Sequence, residues 1–451
     1  MANSLNNIPQ QSQLVKLGEY VISVKGKKPK RVSKVKTKEC SVPYVNIKAF
    51  EKNVIDEYTD GVGCVLCEKD DFLMVWDGSR SGFVGKSIKG ALGSTLVKLN
   101  FPDINNDYAY YFLQSKFIEL NTRAKGVGIP HVDPNLLWNY ELLIPPKETQ
   151  QLIVSKIEEL ISELDKGIES LKTAQQQLKV YRQSLLKWAF EGRLTSTTLS
   201  SRPIFPSVAE QNKAVVERSR NHRSKIETTA SIAAEGKEKY GIQNDLPEGW
   251  KWVKSGELFD YVTSGSRGWA KYYSDSGAIF IRITNLNFDT LELDLHEKKI
   301  QYVNPPSNSE GIRTKVQEGD FLFSITGYLG MFAIAPKLDN AFVNQHISLC
   351  RLKAGFNKRY IGYWIISRTG GHYYLNQMTK GATKAGLGLD DIKGFPIPLA
   401  PIKIQQLIVD ELESRLTVCD KIEETITNGL QQSEALRQSI LKKAFEGKLI
   451  R

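Results

Sequence analysis

The chain has 451 residues, enough for about two to four domains, and its 41% hydrophobic and 25% charged content is typical of a globular protein. No signal or transit peptide is visible, no run of about 18 apolar residues could span a membrane, and five cysteines fit a reducing cytoplasm better than a disulfide framework. The net charge of +11 favours a polyanionic partner.

A first globular domain is predicted over residues 1–146, and its most informative segment is a lysine-rich loop. This loop lies between strand-like segments at residues 20–24 and 43–47, and its residues 25–38 include no acidic residue. Its eight cations are Lys25, Lys27, Lys28, Lys30, Arg31, Lys34, Lys36 and Lys38. Such a loop can neutralise DNA phosphates, although only some of its alternating lysines can face one surface. A solvated loop or tail is the alternative.

The next element is a long helix, predicted over residues 147–194. Apolar residues recur at steps of three and four, and one series falls seven apart, which is typical of a coiled coil. That series is Ile157, Leu164, Leu171, Leu178 and Leu185. Two prolines precede the helix, and Gly192 lies where a glycine can end it.

A polar linker is predicted over residues 195–245, with a short basic helix near residues 208–226. A second globular domain follows over residues 246–401, and a second long helix over residues 402–451. The heptad positions of the second helix are Leu412, Cys419, Ile426 and Ile440, and Gly447 lies near its end.

The two long helices are copies of one sequence. Residues 150–194 align with residues 405–449 without a gap, and nearly half of the positions are identical. The globular domains repeat more weakly, with matching framework positions and divergent loops. A repeat of this quality predicts a tandem pseudo-dimer in one polypeptide, with the helices packed on each other. Two ordinary amphipathic helices on separate domains are the alternative.

Within the domains we expect short strands, for example at residues 278–283, 321–325 and 347–352, and helices at residues 108–120 and 360–366. These elements do not alternate as βαβ units, so the predicted fold class is α+β. Two pseudo-twofold-related domains would be joined by two long helices packed as an antiparallel coiled coil. That arrangement suits a DNA duplex, which has dyads perpendicular to its axis.

Residues for DNA recognition are expected in turns and at strand ends. Side chains that reach base edges give specificity, whereas lysines chiefly contact phosphates. Besides the lysine-rich loop, the residues predicted at or near DNA are Asn46, Ser79, Arg80, Lys125, Arg267, Lys271, Arg282, Asn285, Tyr328, Lys380 and Lys384. For any one of them, an ordinary surface role is the alternative.

Motifs for catalysis are weak. The segment Asn304-Pro305-Pro306 lacks the aromatic residue and the cofactor loop of an amino-methyltransferase, so we interpret it as a turn. Cys64 and Cys67 have no second close pair and are expected in the core rather than at a metal. No phosphate-binding loop ends in Gly-Lys-Ser or Gly-Lys-Thr. We therefore predict no catalytic residue, metal site or cofactor in this chain.

The chain resembles the DNA-specificity subunits of type I restriction–modification systems. The resemblance covers nearly the whole length and rests on the repeat and on the segments 246–250 (Leu-Pro-Glu-Gly-Trp), 280–285, 319–327, 344–347 (Asn-Gln-His-Ile) and 401–406. The first domain departs from this pattern, because it lacks the Leu-Pro-Glu-Gly-Trp opening and has Leu92-Gly93-Ser94-Thr95 in place of the Asn-Gln-His segment. That departure makes contacts of the first domain harder to assign.

The resemblance implies two target-recognition domains joined by two antiparallel helices, and recognition of a bipartite, asymmetric DNA target without catalysis. It implies double-stranded DNA, two methyltransferase subunits and restriction translocase–nuclease subunits as partners, in the cytoplasm. S-adenosylmethionine, ATP and Mg²⁺ would be bound by those partners. Two other hypotheses stay open: a methyltransferase or nuclease in its own right, and a coiled-coil DNA-binding regulator without enzyme partners.

Overall fold

The computed structural model describes residues 12–126, 128–194, 246–306, 313–378 and 386–450. The chain divides into two compact units, one formed by Met1–Thr173 with Ile426–Arg451 and the other by Ala174–Thr425. Each unit therefore combines one globular domain with parts of both long helices. The basic helix predicted near residues 208–226 lies outside the described residues.

The described part of the first domain contains ten strands and three helices. The strands are β1 (Gln13–Lys16), β2 (Ile22–Lys25), β3 (Val42–Val45), β4 (Tyr58–Thr59), β5 (Leu66–Cys67), β6 (Phe72–Val75), β7 (Val84–Lys86), β8 (Gly90–Leu92), β9 (Leu96–Asn100) and β10 (Glu141–Ile144). The helices are α1 (Ile47–Lys52), α2 (Asn106–Thr122) and α3 (Pro134–Trp138), and Leu17–Glu19 forms a 3-10 turn.

The first domain contains two four-stranded sheets and a separate pair of strands. β1 pairs with β10 and joins the two ends of the domain. The antiparallel sheet has the order β2-β9-β6-β7, and the mixed sheet has the order β4-β3-β8-β5, in which β3 and β8 are parallel. All four residues of β6 are buried, which fits an uninterrupted apolar strand in the interior. Asp71, just before β6, forms an ion pair with Lys98 of β9 (2.5 Å).

The second domain is built from equivalent elements. Its described strands are β11 (Lys251–Lys254), β12 (Phe259–Ser264), β13 (Tyr273–Ser274), β14 (Ala278–Ile281), β15 (Tyr302–Val303), β16 (Phe321–Ser324), β17 (Phe332–Ile334), β18 (Ala341–Val343), β19 (Ile347–Leu352) and β20 (Pro396–Leu399). The helices are α5 (Ser255–Leu258), α6 (Lys358–Ile366), α7 (Gly371–Gln377) and α8 (Leu389–Gly394), with 3-10 turns at Trp269–Tyr272, Ile283–Asn285 and Glu297–Lys299.

Strand pairing in the second domain follows the first. β11 pairs with β20, the antiparallel sheet has the order β12-β19-β16-β17, and the mixed sheet has the order β13-β15-β14-β18 with β14 and β18 parallel. Asp320 before β16 accepts two hydrogen bonds from Arg351 of β19 (2.9 and 2.8 Å), where the first domain has an aspartate–lysine pair. The α+β class and the strands and helices expected from the sequence are confirmed, with ends that differ by up to two residues.

Both long helices have 44 residues, α4 from Lys147 to Phe190 and α9 from Ile402 to Phe445. They end earlier than the predicted boundaries at 194 and 451, because Gly192 and Gly447 adopt left-handed φ values of 71° and 69°. The amide of the residue after each glycine donates to a carbonyl five residues back, at 2.9 Å in both copies. This is the hydrogen bond of a Schellman cap, which a left-handed glycine makes possible.

The predicted heptad positions form the apolar seam of the long helices. Seven of them are buried and two are half-buried: Ile157, Leu178, Leu185, Leu412, Cys419, Ile426 and Ile440 in the first group, Leu164 and Leu171 in the second. Burial of one residue in every seven along a straight helix requires a neighbour on that face. The neighbour is the other long helix or the domain at its end.

α4 and α9 pack antiparallel as a coiled coil. In the first unit, Asp165 pairs with Arg437 and Leu171 lies against Gly429, so residue numbers rise along one helix as they fall along the other. In the second unit, Arg182 of α4 pairs with two carboxylates of α9, at 2.7 and 2.8 Å. These carboxylates are exposed, so the ion pairs contribute less than about 1 kcal/mol each, and the apolar seam provides most of the stability.

A buried glutamine joins the start of each long helix to its own domain. Gln150 Oε1 accepts from the amide of Asn105, the residue that caps α2 (2.9 Å), and its Nε2 donates to the carbonyl of Pro145 (2.8 Å). Gln405 makes the same two bonds, to the amide of Asn357 (3.1 Å) and to a carbonyl before α9 (2.7 Å). The repeated glutamine therefore fixes the angle at which the long helix leaves the domain.

An aromatic residue joins the end of each long helix to the other domain. Phe445 of α9 packs on Tyr108 and Phe112 of α2, with ring centroids 5.1 and 5.3 Å apart. Phe190 of α4 packs in the same way on two aromatic residues of α6, both at 5.1 Å. Each long helix is thus attached to one domain at its start and to the other at its end.

We expect Phe190→Ala to destabilise the second unit by about 3–5 kcal/mol, the usual loss for a buried phenylalanine. Phe190 is buried, whereas Val180 on the same helix is exposed, so Val180→Ala should cost less than about 0.5 kcal/mol. Urea-induced unfolding followed by tryptophan fluorescence would measure both. Equal losses for the two variants would show that Phe190 does not anchor the helix.

Candidate nucleic-acid interface

Three turns of the first domain lie side by side: the chain after β2, the β6–β7 turn and the β8–β9 turn. The amide of Gly26 donates to the carbonyl of Leu96 (2.9 Å), and a Cβ on Gly26 would lie 2.1 Å from the carbonyl oxygen of Gly93. The amide of Trp76 donates to the carbonyl of Thr95 (2.8 Å). Only glycine allows the first of these close approaches, so Gly26 brings the lysine-rich loop against the other two turns.

The second domain repeats this arrangement. The amide of Gly265 donates to the carbonyl of Ile347 (3.1 Å), and a Cβ on Gly265 would lie 2.1 Å from the carbonyl oxygen of Asn344. Thr326 Oγ1 of the β16–β17 turn lies 2.6 Å from Nδ1 of His346. We call these groups the first turn cluster (residues 25–27, 77–82 and 93–95) and the second turn cluster (residues 264–267, 326–330 and 344–346).

A fourth segment closes each turn cluster. In the first domain the amide of Val132 donates to the carbonyl of Trp76 (2.9 Å), and in the second the amide of Leu387 donates to the carbonyl of Ile325 (3.0 Å). The segment before each of these residues contains predicted lysines. In the first domain, Lys125 and His131 of this segment exchange two backbone hydrogen bonds (2.9 and 2.7 Å), and the segment lies next to the β6–β7 turn.

Lys125 in this fourth segment forms an ion pair with Asp133 (2.9 Å) and remains exposed. Its hydrogen bond lowers the pKa of the Asp133 carboxyl below the ordinary value. The corresponding lysines of the second domain, Lys380 and Lys384, lie outside the described residues.

All eight cations of the lysine-rich loop are exposed. Lys25 pairs with Asp77 of the β6–β7 turn (2.8 Å), whereas the other seven have no ion-pair partner among the residues that the structure describes. Ser33 exchanges two backbone hydrogen bonds with Tyr58 (2.9 and 2.8 Å), which ties the middle of the loop to β4. The loop is therefore a positively charged surface that hydrogen bonds fix beside the first turn cluster. A phosphate-contacting element needs such a surface.

The second domain has aromatic residues where the first has lysines. Arg267 and Lys271 are exposed in the chain after β12. Between them, Trp269 is buried and stacks on Phe280 with ring centroids 5.5 Å apart. The ammonium group of Lys271 lies 4.9 Å from the ring centroid of Tyr272. A small aromatic core thus supports two exposed cations next to the second turn cluster.

The predicted residues Ser79, Arg80 and Tyr328 all lie in the β6–β7 and β16–β17 turns. Ser79 and Arg80 are exposed, and Tyr328 is 73% exposed. Tyr328 follows Gly327, whose φ of 73° shapes the turn. The two turns connect equivalent strands, although the β6–β7 turn is one residue longer, and the two domains present different side chains there.

Two predicted asparagines are used inside the fold. Asn46 Oδ1 accepts from the amide of Ala49 (2.9 Å) and caps α1. Asn285 is only 1% exposed, its Oδ1 accepts from the amide of Arg282 (2.8 Å), and its Nδ2 donates to the carbonyl of Asp294 (2.9 Å). Arg282 is half-buried, and its guanidinium donates to a backbone carbonyl (3.2 Å). These side chains hold strand ends together within the fold.

Gln345 and His346 belong to the second turn cluster but were not predicted as site residues. Gln345 Nε2 lies 3.1 Å from Nε2 of His346, and the other ring nitrogen of His346 contacts Thr326. Both residues lie within residues 344–347, a segment that carries the family resemblance. The Asn-Gln-His-Ile segment was therefore noticed in the sequence, but the sequence could not show that it lies beside the β16–β17 turn.

Cys67 is buried and lies 3.4 Å from two backbone carbonyl oxygens, and this burial raises the pKa of its thiol. Cys64 is half-buried. Across the described ranges, no cluster of three or more His, Cys, Asp or Glu side chains is placed to bind a metal ion. Within the same ranges, no helix combines the length and apolarity that a bilayer span needs.

The two turn clusters, the positive loop and the paired long helices define a class of protein: a two-domain DNA-recognition protein with a coiled-coil connection. Residues 9–175 and 247–432 match the model of the family described as type I restriction modification DNA specificity domain. The chain belongs to this family. Its members recognise DNA targets, and the catalytic activities of type I systems belong to partner subunits. The predicted family and its non-catalytic role are confirmed.

Named relatives agree with this assignment. The chain is 23% identical to the specificity subunit of the type I restriction enzyme MjaVIII from Methanocaldococcus jannaschii, over 98% of this chain and 94% of the relative. It is 24% identical to the EcoBI specificity subunit from Escherichia coli, over 84% and 74% of the two chains. A chain from a solved type I R-M system has the same fold, with a TM-score of 0.66, 18% identity and coverage of 98% and 99%.

Proposed function

We propose that the chain recognises a bipartite, asymmetric DNA target, with one half-site read by each domain. One observation carries the proposal: the two turn clusters share backbone hydrogen bonds but present different side chains. Gly26 and Gly265 make the same close approach to a neighbouring turn, whereas the β6–β7 turn exposes Ser79 and Arg80 and the β16–β17 turn exposes Tyr328. One scaffold used twice with different surface residues is suited to reading two different sequences.

Phosphate contact and base readout are divided between different parts of each domain. The lysine-rich loop and Lys125 would contact phosphates and hold the register on the duplex, without reading sequence. Base or near-base contacts would come from the turn clusters and their neighbours. Their members, as proposed, are Ser79, Arg80, Arg267, Lys271 and Tyr328, and from the sequence alone Lys380 and Lys384.

The catalytic partners would be two methyltransferase subunits and the restriction translocase–nuclease subunits, in the cytoplasm. These partners would bind S-adenosylmethionine, ATP and Mg²⁺. Two equivalent exposed leucines support two equivalent docking surfaces: Leu152 of α4 is 60% exposed, and Leu407 of α9 is 55% exposed.

The proposal is tested by adding methyltransferase subunits to the purified chain and following labelled methyl transfer from S-adenosylmethionine to DNA. We expect transfer at one bipartite site, and only when both components are present. Methyl transfer by the chain alone would support the standalone enzyme. Site-specific binding without any effect on the added methyltransferase would support the regulator. Either of these results would contradict the proposal.

Replacing Lys34, Lys36 and Lys38 by glutamine is expected to weaken binding to specific and unrelated DNA by the same factor. Each lost phosphate contact should reduce the slope of log affinity against log salt by about 0.9. Fluorescence anisotropy at several salt concentrations measures this slope. The matched control replaces three exposed lysines of α9, Lys421, Lys442 and Lys443, and should leave the slope unchanged. Equal slopes for the two triple variants would show that net charge, and not the loop, sets the effect.

A further inference from the structure

The β6–β7 turn of the first domain is held from outside by two other segments. Nδ2 of Asn121, in α2, donates to the carbonyl oxygens of Ser79 (2.9 Å) and Ser81 (3.1 Å). The amide of Gly78 donates to the carbonyl oxygen of Pro130 in the fourth segment (2.7 Å). The backbone on both sides of Arg80 is therefore fixed relative to the rest of the domain.

The guanidinium of Arg80 is held independently of its backbone. It lies 4.0 Å from the ring centroid of Phe83 and 5.9 Å from that of Phe117. Its Nη1 lies 3.4 Å from Oε2 of Glu51, whose side chain is only 13% exposed. Aromatic faces and a sheltered carboxylate both stabilise a guanidinium. An arginine side chain that would otherwise sample many rotamers is thus restricted before any ligand binds.

Arg80 still presents part of its guanidinium to solvent, since its side chain is 46% exposed. A guanidinium has five N–H donors, and the contact with Glu51 involves one nitrogen, Nη1. The remaining donors lie in the first turn cluster, next to exposed Ser79. An arginine that donates two hydrogen bonds to O6 and N7 of guanine is the commonest specific contact in the major groove.

We propose that Arg80 reads a guanine in the half-site bound by the first domain, and that Glu51 and Phe83 are positioning residues for this contact. The inference rests on the proposed function and deepens it by naming one base. The corresponding β16–β17 turn of the second domain, residues 325–331, contains no arginine. The contact therefore belongs to the first half-site alone and helps to make the target asymmetric.

The test uses the full chain with its methyltransferase partners and duplexes in which one guanine at a time is replaced by 7-deazaguanine, which lacks N7. For the unaltered chain, we expect one position in the first half-site to lose about 5-fold or more in affinity, because 7-deazaguanine removes one of the two acceptors of a bidentate contact. Arg80→Ala removes both hydrogen bonds and should weaken binding to the unmodified target by at least that factor, up to about 150-fold. It should also remove the sensitivity at that one guanine.

Three further variants separate reading from folding and from charge. Arg80→Lys keeps the charge and can still donate to N7 or O6, but not with the planar guanidinium held by Phe83, so it should lose less affinity than Arg80→Ala and keep part of the sensitivity to 7-deazaguanine. Glu51→Gln keeps the shape of the side chain and should reduce affinity only for duplexes with the natural guanine at that position. Lys89→Ala removes a different exposed cation, paired with Glu68 at 2.9 Å, and should change nothing at any guanine.

Several results would overturn the inference. Equal weakening of specific and unrelated DNA by Arg80→Ala would make Arg80 a phosphate contact. If replacing no guanine of the first half-site by 7-deazaguanine weakens binding, Arg80 does not read a guanine there. If Glu51→Gln leaves the affinity for the target unchanged, Glu51 does not position Arg80. These outcomes differ from failure of the proposed function, in which the unaltered chain with its partners would show no bipartite target at all.

Discussion

Exchange of residues 14–146 for the equivalent domain of a relative with another target is expected to change one half-site and to leave the other half-site and the gap intact. The first domain can be exchanged because β1 pairs with β10 and closes it on itself, and because its two sheets are formed from its own strands. Affinity for the old first half-site should fall to the non-specific level, about 1,000-fold or more. Mapping the methylated motif of the exchanged protein measures this directly.

The matched control exchanges residues 246–401, the second domain, and should change the opposite half-site. Both exchanges must retain two aromatic residues of the long helices, because Phe445 packs on the first domain and Phe190 on the second. A change of both half-sites after either exchange would show that the two domains do not read DNA independently.

Lengthening both long helices by seven residues, after Thr173 and before Ile426, is expected to widen the unread gap without altering either half-site. Seven helical residues add about 10 Å, since each contributes about 1.5 Å. That length corresponds to about three base pairs at a rise of about 3.4 Å. Both helices must be lengthened, because an insertion in α4 alone would separate Leu171 from Gly429. The methylated motif again provides the readout.

The control for this prediction is an insertion of five residues at the same two places. Seven residues keep the heptad phase of the apolar seam, whereas five rotate it away from the partner helix. The five-residue protein should therefore lose stability. An unchanged gap in a stable seven-residue protein would mean that the long helices do not set the spacing.

The long helices could be predicted closely because their signals are local. The spacing of Ile157 and its successors, and the glycines Gly192 and Gly447, act within a few residues along the chain. The structure places the helix ends two residues before each glycine. The predicted ends were too late because the repeated sequence continues past the point where the helix stops.

The attachments of the long helices could not be predicted, because they are non-local. Gln150 and Gln405 are identical in the two copies and polar, and a polar residue at the start of a helix is ordinarily assigned to the surface. Their amide groups instead bond to Asn105 and Asn357, the residues that cap α2 and α6 and lie 45 and 48 positions earlier in the chain. The sequence likewise does not show that Phe190 packs on the second domain and Phe445 on the first.

The candidate site was predictable in its turns but not in each side chain. Arg80, Arg267 and Tyr328 lie in or beside the turn clusters. Glycines and polar residues in the sequence predicted turns at these places. Asn285 follows a strand in the same manner as a surface residue would, yet its side-chain amide is hydrogen-bonded to the backbone of Arg282 and Asp294. Sequence position identifies a strand end, whereas the burial of the side chain there depends on the loop that folds over it.

The measurement that tests the central claim most directly is methylome sequencing of cells with and without this chain, in the presence of its methyltransferase partners. Two equivalent domains with different turn residues predict one asymmetric motif, formed by two half-sites on either side of an unread gap, which disappears when the chain is absent. A continuous or palindromic motif, or a methylome that does not depend on the chain, would contradict the account.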